Sequence, residues 1–157
     1  MTSLYRSMLS FGVLLTIGCA TLSDEELDLS CDGPIAESTT RSELVDRFGP
    51  ANVTDEEIGV GEGETVDGTA IFPEDASRRI EIVWHDPDRK NRIASIRVQE
   101  PSVWRLGGLT TGLDLETTEQ LNGRSFSLYG FEWDYAGTIS SWNGGAFDAP
   151  GECRILA

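Results

Sequence analysis

The stretch "RRIEIVWHDPDRKNRIASIRVQ", residues 78–99, constrains the fold more than any other part of the chain. Ile80, Ile82 and Trp84 recur at every second position, which places them on one face of an extended strand. After the polar "HDPDRKN", Ala94, Ile96 and Val98 repeat the same period on a return strand. Two alternating runs joined by a polar loop predict an antiparallel hairpin with one buried face. Such a face needs a cover, and the flanking sequence offers helices to supply it.

The first helix is predicted in "STTRSELVDRFGP". Thr40 and Glu43 have capping-box spacing, Leu44, Val45 and Phe48 form one apolar stripe, and Gly49-Pro50 ends it. "ANVTDEEIGV" and "VDGTAIF" then read as two strands joined by the glycine-rich turn "GEGET". A second helix is predicted in "LDLETTEQLNG", with Asp114 as N-cap, Leu115 and Leu121 turned inward, and Asn122-Gly123 as its stop. Two more strands follow, near Ser125–Trp133 and Thr138–Trp142. "TTRSELVDRFG" and "TTGLDLETTEQLNG" share a TT pair, a short capped helix and a glycine exit, which reads as a helix-plus-strands unit used twice. The expected fold is α+β: an antiparallel sheet packed by two short helices, in a single domain over residues 33–157.

The chain carries 27 acidic against 12 basic residues, a formal charge of −15. That excess opposes binding to nucleic acid or docking of the domain surface on anionic lipid. Lys90 is the only lysine. Acidity of this kind, spread along the chain, reads as a solvating surface rather than a ligand site.

At the start, Arg6 precedes the ten-residue uncharged run "MLSFGVLLTI", and small Gly18 precedes Cys19. This is the pattern of a secretory signal over residues 1–18, and its apolar run is shorter than the ~20 residues of a membrane span. "LTIGC" resembles the lipobox of bacterial lipoproteins, with Thr16 where a branched aliphatic is usual. The resemblance implies a lipid on Cys19, an acidic tether over residues 19–32, and a place in the outer membrane facing the periplasm. Cys31 and Cys153 then remain as an even pair in an oxidising compartment, and a disulfide between them is the preferred reading over two free thiols. A crosslink closing so long a loop stabilises by about 4–5 kcal/mol in the chain-entropy account.

The segments "GEGETVDGTAIF" and "LNGRSFSLYGFEWDYAGTISSWNGG" resemble a group of uncharacterised bacterial proteins. The shared features are an NG-x-x-F helix exit (Asn122, Gly123, Phe126), a GFxWDYxG strand–turn (Gly130 to Gly137) and a W-x-GG close (Trp142, Gly144, Gly145). The helix–glycine–strand joints are more generally similar to SmpA/OmlA-type envelope lipoproteins and to β-lactamase-inhibitory proteins. These resemblances imply an envelope fold and supply no activity.

Tyr129, Phe131, Trp133 and Tyr135 fall on one face of the predicted aromatic strand. Large aromatics so placed are expected to bury against a helix. The competing use is a platform that stacks sugar rings, with Tyr129, Trp133, Asp134 and Trp142 as its candidate binding residues. Glu132 and Asp134 have a strand spacing compatible with a glycosidase pair, but carboxylates are abundant here. "HDPDRKN" departs from a calcium loop, with Lys90 and Asn91 where an oxygen donor and glycine belong, and His85 is the only histidine. No catalytic set, metal site or cofactor is therefore expected. The expected function is a non-catalytic module that binds another envelope protein. The alternatives are an inhibitor of a periplasmic hydrolase and a peptidoglycan- or glycan-binding protein.

Overall fold

A computed structural model describes residues 27–30, 33–132, 135 and 137–148. Its centre is a four-stranded antiparallel meander: β1 (Val53–Gly61), β2 (Glu64–Ile71), β3 (Ile80–Trp84) and β4 (Ile93–Arg97), in that spatial order. Helix α1 (Arg41–Phe48) precedes it. Helix α2 (Leu115–Asn122) and a two-stranded sheet, β5 (Ser127–Leu128) with β6 (Ile139–Ser141), follow. The fold is α+β; α1 packs on the meander, and α2 is joined to the small sheet through Asn122 at its end.

Cross-strand register fixes which side is buried. Val53 pairs with Ile71, Ile71 with Ile80, Thr69 with Ile82, and Ile82 with Ile96, so these residues share one face. α1 covers that face with Leu44 and Phe48. Its start is the expected capping box: the Glu43 amide donates to Thr40 Oγ1 (3.3 Å) and the Thr40 amide to Glu43 Oε2 (2.7 Å). Its end is Gly49 at φ +85°, a conformation that favours glycine, whose amide donates to the Val45 carbonyl (2.9 Å). Phe48 meets Phe72 and Trp104 edge-on, with centroids 5.6 and 6.4 Å apart. Trp104 and Ile35, both from irregular segments, complete the core.

The opposite face is polar. Arg79 pairs with Glu56 and with Glu81 (3.3 Å), and Arg97 reaches both Glu81 (3.9 Å) and the Gly59 carbonyl. Ile58 is buried on this side, over Gly68. A Cβ at Gly68 would lie 2.4 Å from Ile58 Cγ1 and 2.6 Å from the Ile82 carbonyl oxygen, which explains a glycine in mid-strand.

Two expectations are corrected. Ile93, not Ala94, faces the core: a register irregularity beside Trp84 sets Ile93 opposite it and leaves Ala94 exposed, while Ile96 and Val98 pack as expected. Leu115 and Leu121 are exposed, and Asn122 is the buried residue of α2. Strands of two and three residues offer no apolar face wide enough to seat a leucine stripe. The TT pairs also differ. Thr40 caps α1, whereas Thr110 and Thr111 bond to the Ser102 backbone and Asp114 caps α2, accepting from the Thr117 amide (2.7 Å).

Leu44→Ala is expected to cost about 2–5 kcal/mol, the usual range for a fully buried leucine. Leu115→Ala should stay within about 0.5 kcal/mol. Urea melts of the two variants against the parent measure the difference.

Candidate functional site

The small sheet is organised by one amide. Asn122 Nδ2 donates to the carbonyls of Arg124 (2.9 Å) and Trp142 (3.0 Å), and its Oδ1 accepts from the Phe147 amide (3.3 Å). Its own carbonyl accepts from Ala146 (2.8 Å). A Cβ at Gly145 would lie 2.1 Å from Asn122 Oδ1, so the chain closes over the amide where only glycine fits. Trp142 is 6% exposed and sits between Phe126 (5.5 Å) and Phe147 (5.1 Å). It belongs to this miniature core and offers no open ring face. In the sequence Asn122-Gly123 reads as a helix stop; the signal of the buried role is the side-chain amide, able to bond several backbone groups at once.

That core displays an aromatic turn. β5 ends at Leu128, and the chain closes again where the Tyr129 amide donates to the Thr138 carbonyl (2.9 Å) and the Gly137 amide to Tyr129 (3.1 Å). Between these bonds, Tyr129 is 50%, Phe131 73% and Tyr135 71% exposed. The expected burial of Tyr129, Phe131 and Tyr135 is thus overturned. Alternation buries a residue only where a second layer covers that face, and among the described residues none covers this one. Tyr129 and Tyr135 lie 6.2 Å apart with planes 45° apart. Phe131 lies over Gly137, its Cε1 3.1 Å from where a Cβ would stand. Trp133, Asp134, Cys19, Cys31 and Cys153 lie outside the described residues.

The polar loop after β3 is structural. Asp86 Oδ1 accepts from the amides of Asp88 and Arg89 (3.1 Å each), and His85 is exposed. Lys90 Nζ reaches back to Asp55 (2.9 Å), which also receives Arg41 Nε (2.8 Å) and the Thr69 hydroxyl (2.8 Å). Partial burial raises the Asp55 pKa, but the bonds from Arg41, Lys90 and Thr69 outweigh it and hold the carboxyl below the ordinary 3.8. A carboxylate held ionised by two cations is poorly suited to general-base work. Among the described residues, no three His, Cys, Asp or Glu side chains are grouped to hold a metal, and no helix is long and apolar enough to cross a membrane.

Comparison with protein-family models, with curated proteins and with solved structures gives no match.

Asn122→Ala strips partners from two carbonyls and one amide, and should cost at least about 1–3 kcal/mol. Hydrogen exchange should quicken across residues 122–147 and stay slow in β2 and β3. Uniform quickening throughout the chain would contradict a separately organised small sheet.

Proposed function

We propose that this chain is an exported, non-catalytic binding module of the bacterial envelope, tethered to the outer membrane through Cys19 and docking onto another envelope protein through its aromatic turn. The carrying observation is the exposure of Tyr129, Phe131 and Tyr135 on a turn closed by backbone bonds. Aromatic residues are enriched at protein interfaces because they bring large contact area at little entropic cost, and a few such residues carry most of the binding energy. Here the two ends of the turn are joined by backbone bonds, which lowers the ordering cost of association. The lipobox-like "LTIGC" supports the tether. A single histidine and the lack of any nucleophile motif in the sequence support a non-catalytic role.

Cys19→Ser should move the protein from the membrane to the soluble fraction or leave an uncut precursor. A photo-crosslinker at Phe131 in intact cells should give one discrete protein adduct. Its yield should fall when Tyr129 and Tyr135 become serine, with the melting temperature unchanged. Retention on purified peptidoglycan that disappears with the same serines, in place of a protein adduct, would transfer the turn to the glycan reading.

A further inference from the structure

We infer that the open edge of β4 receives an extended, acidic, alternately apolar peptide segment as a fifth strand, in a groove that reaches Gly137 at the base of the aromatic turn. β4 is the last strand of the meander. Ile93 donates its amide to the Glu37 carbonyl (2.8 Å), and the Arg92 carbonyl accepts from His85. From Ala94 to Val98, no backbone bond beyond the ladder to β3 is found among the described residues. An unpaired row of amides and carbonyls is a template for another strand.

This edge lies along a groove of about 1080 Å³. Every residue from Arg92 to Val98 lines it. Successive residues of a strand point to opposite faces, so a groove that touches all of them runs along the strand's edge and not over one face. Apolar residues from beyond β4 also line it: the Leu106–Leu109 bridge, Leu113, Leu115, Leu128 and Ile139, with Thr110, Thr111 and Thr118 among them. Leu115, 56% exposed and unexplained by helix packing, finds its use there.

Three arguments select the occupant. Unmet backbone groups are matched by another backbone, which neither an acyl chain nor a sugar provides in register. A second copy of this chain would bring a like charge of −15 to the edge. Charge completes the selection. The groove is lined by Arg92, Arg97 and Arg105 against one carboxylate, Glu37, in a chain where acids outnumber bases more than twofold. Arg92 pairs with that Glu37 and Arg97 more loosely with Glu81 (3.9 Å), so cationic side chains still outnumber the one carboxylate of the lining, and acidic side chains suit it better than basic ones. Main-chain bonds supply affinity in such strand addition, and alternate side chains supply selectivity.

The probe is a fluorescein-labelled heptapeptide of alternating valine and glutamate, titrated into the full chain. Two controls accompany it: alternating valine and lysine, and the valine–glutamate peptide N-methylated at every second amide. Both controls are expected to bind at least about tenfold more weakly, the ratio that corresponds to about 1.4 kcal/mol. Amides within residues 94–98 should exchange rapidly in the free chain and slow down on binding the probe. Leu115→Glu should weaken the probe's binding by a similar factor without moving the melting temperature. Equal binding of the N-methylated peptide would overturn strand addition. Slow exchange throughout 94–98 in the free monomer, or a dimer that excludes the probe, would show that the edge is already taken and would overturn the inference as well.

Discussion

A buried hydroxyl carries the architecture of the meander. Thr69 is fully buried in mid-β2, where an unbonded hydroxyl would be costly. It accepts from Trp84 Nε1 on β3 (2.9 Å) and donates to Asp55 on β1 (2.8 Å), so both of its capacities are used. Asp55 passes the connection outward, to Arg41 in the first turn of α1 and to Lys90 in the loop after β3. The Arg41 amide also donates to the Lys90 carbonyl (2.9 Å). One short chain of bonds thus joins three strands, the start of the helix and the hairpin tip.

The stabilising energy lies elsewhere, in the burial of Leu44, Phe48, Ile71, Ile80, Ile82 and Trp104. Ion pairs to a carboxylate as open as Asp55 contribute little apiece, about 0–1 kcal/mol. The relay specifies instead. Slipping β2 by one residue would turn Thr69 to the other face and orphan the Trp84 indole, so the polar bonds and the apolar pattern select the same register. With α1 on one face and the Arg79–Glu56–Glu81–Arg97 array on the other, the sheet is left with two edge strands, β1 and β4, and among the described residues it is β4 that borders the groove.

Features governed by local chemistry were legible in the sequence. Thr40 and Glu43 cap α1, Asp114 caps α2, Gly123 ends α2 in a left-handed conformation, and Ile80, Ile82 and Trp84 face inward together. Features that depend on a distant layer were not. Tyr129 and Phe131 have the alternation of a buried strand, but nothing in their own sequence tells that β5 stops after two residues without a cover. Ile93 displaced Ala94 because "RIASIRV" holds apolar residues in both phases, and the irregularity beside Trp84 decides between them. Trp104 is fully buried in a segment with no period at all, anchored by its indole bond to the Arg78 carbonyl (2.7 Å). Of the candidate binding residues, Tyr129 is open as a contact must be, and Trp142 proves to be packing.

Carboxyl NMR titration of Asp55 in the full chain tests the relay most directly. With its folded pKa depressed, Asp55 contributes its full stabilisation above the unfolded value near 3.8 and loses it as pH falls through the lower folded value. The account predicts a midpoint below 3.8, with the Arg41 amide and the Trp84 indole signals shifting at that same midpoint. A midpoint at or above the ordinary aspartate value, or indole and helix signals that ignore the titration, would contradict it.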